Sequence, residues 1–175
     1  MVEIKHRVTL GVLVTINAGD LEGVDLTNRD LQQASLPGAL MRGASLHGVN
    51  LTLANLSGID LRFADLSSAI LRYADLSHAN LNTAQLTAAD LSGADLTEAD
   101  LSGADLFGAK LSIADLRRSW LGGADLHDAD LRGALLTECQ YSADTRWPDH
   151  FDPAKRGALL VPSYQSPPGH HEQAG

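Results

Sequence analysis

A large apolar residue stands at every fifth position from Leu21 to Leu136 without a gap. The 24 positions hold 23 leucines and Met41, and the residue two places earlier is Ala in 18 of them. The exceptions at that earlier place are Gly19, Val24, Arg29, Val49, Ile59 and Ser119. A spacing of five matches neither the 3.6 of an α-helix nor the 2 of a strand, so neither puts these leucines on one face. What remains is a solenoid, in which each short unit buries its apolar side chain only by stacking on its neighbours. Five residues suffice for one side of a coil, and a square coil then takes 20.

These residues, Leu at the centre with Ala two before it and Asp or Asn one before it (as in Ala94-Asp95-Leu96 and Ala104-Asp105-Leu106), closely resemble the pentapeptide-repeat family, and cyanobacterial-type members in particular. The resemblance implies an all-β, right-handed quadrilateral β-helix of about six coils, with four repeats in each. At roughly 4.8 Å per rung the shaft would be about 29 Å long. A side chain larger than Ala beside each Leu should overpack the core. Arg29 is therefore expected to mark an irregular first coil, with the regular shaft starting near Ala34. Leu40, Ile70, Lys110, Trp120 and Leu135 depart from the usual Asp or Asn before the centre.

The ends read differently. Residues 1–17 are expected to cap the first coil as a β-segment, with Ile16 as a degenerate centre. The β-helix is expected over 18–141, with a cap over 142–161 in which Trp147 and Phe151 cover the last leucines. A short helical turn could begin at Asp152-Pro153, since Pro suits a first helical turn. Residues 162–175 read as a disordered tail. Val8 to Ile16 is too short to span a bilayer and lacks the build of a signal peptide. A cytoplasmic protein with no membrane role is expected, as a monomer or weak dimer.

Charge narrows the function. A formal charge of −9 opposes direct binding to a phosphate backbone, and aromatics at 5% offer few platforms for bases. Cys139 is the one cysteine, which excludes an internal disulfide and a thiolate metal site; it falls in the inward small position of a decaying last repeat. His47, His78 and His127 are too dispersed to make a site. No phosphate loop or nucleophile motif is present, and a solid rod offers no cavity. The expectation is no enzyme, no cofactor and no metal.

Two surfaces remain as candidates. Leu53, Arg62, Phe63, Arg72 and Tyr73 combine aromatic residues with arginine, the usual composition of a protein contact. They support a rigid scaffold for a protein partner whose identity the sequence does not name. The second surface is acidic: Asp75, Asp95 and Asp115, 20 residues apart, with Asp105 nearby. These residues are read either as turn formers and solubilising groups, or as an imitation of DNA directed at DNA gyrase or another topoisomerase. The second is what the resemblance implies, since some relatives that protect gyrase from quinolones are thought to act so. A structural protein without a specific partner is the third reading.

Overall fold

The computed structural model describes residues 1–163. Its shaft is a right-handed quadrilateral β-helix in which residues 20 apart are hydrogen-bonded neighbours. Single-residue parallel bridges run from Asp25↔Ser45 and Asp30↔Asn50 up to Trp120↔Gln140.

The five-residue side around Leu96 pairs every one of its backbone N–H groups. Leu96 N–H donates to Asp115 O, and Glu98 N–H to Arg117 O, both on the next rung. Asp95 N–H donates back to Ala74 O on the rung before, and Ala99 N–H closes the corner turn onto Leu96 O. The fifth donor, Thr97 N–H, bonds the Asp95 carboxylate at 2.9 Å. A buried or half-buried N–H left unpaired is costly, and the Asp or Asn before the centre removes that cost. This is the physical content of the motif.

The corner turn closes between residue n and n+3 with its third residue at positive φ, near +60° in Glu98, Thr83 and Gly103 alike. That geometry is a type II turn. It turns Leu and the preceding Ala inward, and both are essentially fully buried along the shaft. The space along the axis lined by Leu26, Leu31, Leu46, Leu51 and Leu61 is too small for a water molecule.

The regular ladder begins earlier than the sequence suggests. Gly23 N–H already donates to Arg42 O and Asn28 N–H to His47 O, and Leu21, Leu26 and Leu31 are buried. Arg29 does not disturb the coil because it lies on the first rung, where its side chain is exposed.

Ahead of the shaft stands an antiparallel hairpin, β1 (Val2–His6) and β2 (Val12–Ile16). β1 also pairs antiparallel with β3 (Ala34–Ser35) on the first coil, giving the order β2-β1-β3. Ile4 is fully buried, and Val2, Val14 and Ile16 pack against the core. Ile16 thus caps from an antiparallel strand and is not a coil centre.

At the far end the register slips by one residue: Asp125 bridges Arg146, 21 positions on. Thr145 takes the small inward place there, its hydroxyl donating to Leu121 O at 2.7 Å. Tyr141, Trp147 and Phe151 pack on the core, with Tyr141 edge-on to Trp147 and Phe151 stacked on it at 5.3 Å. The expected helix is only a 3-10 turn, Ala154–Arg156, ended by Gly157 at φ 83. The chain then adds β5 (Leu159–Leu160), parallel to β4 (Gln140–Tyr141). Of the expected tail, residues from 164 onward lie outside the described residues.

Candidate functional site

Because the coil closes every 20 residues, residues 10 apart are half a coil out of phase and lie at opposite corners. Leu53 and Tyr73 share one corner column with Gln33, Gly93, Ile113 and Gly133, and Arg72 adjoins it. Phe63 and Arg62 belong to the diagonally opposite corner, with Thr83 and Gly103. The five candidate contact residues therefore do not form one patch. They make two half-sites on opposite edges of the rod.

The first edge is the richer. Leu53, Tyr73 and Ile113 are 44%, 50% and 59% exposed. All three hold left-handed backbone, at φ 61, 54 and 54. This conformation costs a non-glycine residue roughly 1–2 kcal/mol and suits a β-branched one least. Glycine fills the same corner at 93 and 133, so the fold does not demand bulk. Tyr73 lies over Gly93, and Ile113 over Gly133. Arg7 from the hairpin donates to Leu53 O at 2.9 Å, which stands the hairpin beside this edge. Arg72 is exposed and makes no ion pair among the described residues.

On the opposite edge Phe63 is 59% exposed at φ 60. Arg62 is folded back on Asp60 through two bonds, 2.9 and 2.6 Å. The same Asp-x-Arg arrangement recurs at Asp115–Arg117 and Asp130–Arg132. The sequence carried that signal at two-residue spacing. Seen as twenty-residue columns alone, it is missed.

Asp75, Asp95 and Asp115 do stack, bridge to bridge, and Asp105 belongs to a different side, paired with Gln85 and Asp125. Their carboxylates are first of all turn caps. Asp75 accepts from Ser77 N–H and hydroxyl, Asp95 from Thr97 N–H and hydroxyl, and Asp105 from Phe107 N–H and the Thr87 hydroxyl. Asp115 is neutralised by Arg117, whose hydrogen bonds hold its carboxyl below the ordinary range. Along the neighbouring column Glu98 pairs with Arg118 at 3.0 Å and with His78 at 3.3 Å. One rung keeps four carboxylates without an ion pair among the described residues: Asp90, Asp95, Asp100 and Asp105. Asp100 is the most buried of them, 4% exposed in a column between Asn80 and Trp120.

Cys139 is fully buried, and desolvation pushes its thiol up to about 12. Among the described residues no group of three or more His, Cys, Asp and Glu could hold a metal ion. Nor is any of their helices long and apolar enough to cross a membrane. A cleft of about 240 Å³ lies between the last coil and the cap, lined by Leu131, Arg132, His150, Phe151 and Arg156. Arg132 there is already bound by Asp130.

The repeat that builds these edges matches the description Pentapeptide repeats in 8 copies, over residues 20–58, 49–82, 59–97, 84–119 and 109–140. The chain belongs to the pentapeptide-repeat family. Among solved pentapeptide-repeat structures, one from the Arabidopsis thaliana thylakoid lumen is 34% identical over 56% of this chain (TM-score 0.44). This chain spans 65% of that protein, slightly under two thirds of its length. Rfr23 from the cyanobacterium Cyanothece 51142 is 30% identical, covering 73% of this chain and 86% of its own (TM-score 0.40). QnrB1, a plasmid-mediated fluoroquinolone resistance protein, shares the fold at 20% identity, over 80% of this chain and 83% of its own (TM-score 0.55). No curated protein matches the chain. The family match supports the pentapeptide-repeat family as a whole and not its cyanobacterial-type members in particular.

Proposed function

We propose that this pentapeptide-repeat chain is a non-catalytic rod that binds a protein partner through the edge carrying Leu53, Arg72, Tyr73 and Ile113. The observation that supports this most is the left-handed backbone under three large, half-exposed apolar residues. Bulk there costs conformational energy and leaves apolar surface in water, and the chain uses Gly at the same corner elsewhere. A partner that buries the three side chains removes that apolar surface from water. The water-free core favours binding further, since a rigid surface loses little entropy on association.

A DNA topoisomerase of the gyrase type is the partner class to test first. Support comes from the fold shared with QnrB1. The capping bonds of Asp75 and Asp95 and the Arg117 pair of Asp115 favour the apolar edge over the acidic column as the contact.

Gyrase supercoiling is titrated with wild type, with Tyr73→Ala/Ile113→Ala, and with Asp75→Asn/Asp95→Asn/Asp115→Asn at fixed salt. Inhibition relieved by the Ala pair supports the apolar edge. Inhibition relieved by the Asn triple transfers the contact to the acidic column. No inhibition by wild type at any concentration removes gyrase as the target.

A further inference from the structure

The hairpin ahead of the shaft exposes the most concentrated apolar segment of the molecule. Val8 and Leu10 in its loop are 71% and 69% exposed, and Val12 and Leu13 on β2 are 50% and 36%. The loop is built rather than loose, since His6 Nδ1 accepts from both Val8 and Thr9 N–H. β2 is also the edge of its sheet. At the end of β1, His6 N–H donates across the hairpin to Gly11 O, while the next residue, Arg7, donates its N–H the other way, to Gln33 O on the coil. Strand groups alternate in direction. With Ile4 opposite Val14 and Glu3 opposite Thr15, Val14 bonds inward to β1 and Thr15 presents its N–H and C=O outward. Natural edges are usually blunted by charge, proline, bulges or cover; Val12–Ile16 has no charged residue and no proline, and its one register shift, at Leu13 opposite Ile4 and Lys5, leaves Val14–Ile16 as a regular open edge.

We propose that two copies of this chain associate by antiparallel pairing of β2 with β2, extending the three-stranded sheet to six strands across a two-fold axis. Antiparallel pairing of a strand with its own copy is the arrangement a two-fold supplies, so the edge is complementary to itself. Charge selects this end for self-association. Chains of formal charge −9 repel along their acidic shafts, whereas the hairpin carries Glu3 against Lys5 and Arg7 and is not acidic. Val8, Leu10 and Leu13 lose solvent exposure in such a pair, and the open edge disappears.

Sedimentation equilibrium of the full chain over a wide concentration range tests the pairing. Wild type is expected to approach twice 18.5 kDa at high concentration and to dissociate on dilution. Thr15→Pro removes the outward donor, and Leu13→Lys adds a charge to the edge. Each should weaken the dimer by roughly tenfold or more, with the circular dichroism spectrum unchanged. If Thr15→Pro unfolds the hairpin, Leu13→Lys alone decides. Wild type at 18.5 kDa throughout overturns the proposal. So does a dimer that ignores both substitutions, or one lost only on Leu160→Lys at the opposite end.

Discussion

Tyr73 lays its ring against Gly93, one coil further on, so closely that a single methyl group at Gly93 would collide with the ring edge. Gly93 also holds φ +68. Gly93→Ala is thus expected to meet two costs, a left-handed backbone strain of roughly 1–2 kcal/mol and displacement of the ring. Gly123, at the same φ with open space around it, meets the first alone. Thermal melts should place Gly93→Ala below Gly123→Ala. Adding Tyr73→Ala should bring the two together; if the gap persists, the ring contact is not its cause.

Ile113 presents the reverse case, a β-branched residue at φ 54. Asn tolerates left-handed backbone far better. Ile113→Asn should therefore raise stability by up to about 1 kcal/mol, measured in urea, even though it removes an apolar side chain. A loss of stability would mean that the Ile113 contact with Gly133 outweighs the strain.

Inward and outward positions can be told apart by one bulky side chain. Ala94 is 1% exposed beside Leu96, and Ala94→Phe should cost about 3 kcal/mol or more by overpacking. Thr97, on the outer face of the same side, loses only its hydroxyl bond to Asp95, and Thr97→Phe should melt within a few degrees of wild type. Equal shifts in the two melts would contradict the assigned faces.

Acid should loosen the rod through its turn caps. The hydrogen bonds from Arg117 and Arg132 hold the carboxyls of Asp115 and Asp130 below 3.8, and Ser67 does the same for Asp65. A folded-state value below the unfolded one means the contribution is complete at neutral pH and is lost as pH falls below about 4. Urea midpoints should be flat from pH 7 to about pH 5 and fall below that range. The fall should be shallower in Asp115→Asn/Asp130→Asn, whose neutral caps no longer titrate. An equally steep fall would assign the acid sensitivity to other carboxylates.

Much of this is legible in the sequence. The spacing of Leu21 to Leu136 places every centre inside, and the Ala before each leaves the width the coil needs. Asp95 and its equivalents could be read as turn formers, although the donor they satisfy, the N–H two residues on, emerges only from the complete backbone account. The candidate contact was legible in its residue types and wrong in its assembly. Phe63 looks close to Tyr73 along the chain, yet ten residues is half a coil, and the two side chains leave the rod in opposite directions.

The sequence by itself determined the repeating part, because a local pattern copied 24 times makes the same turn and the same buried face each time, and stacking only adds those units together. Tertiary structure alone decided what does not repeat: the antiparallel hairpin on the first coil and the one-residue slip between Asp125 and Arg146. Those features depend on contacts between segments unlike each other, where no periodicity sets the register and the best packing of one particular end prevails.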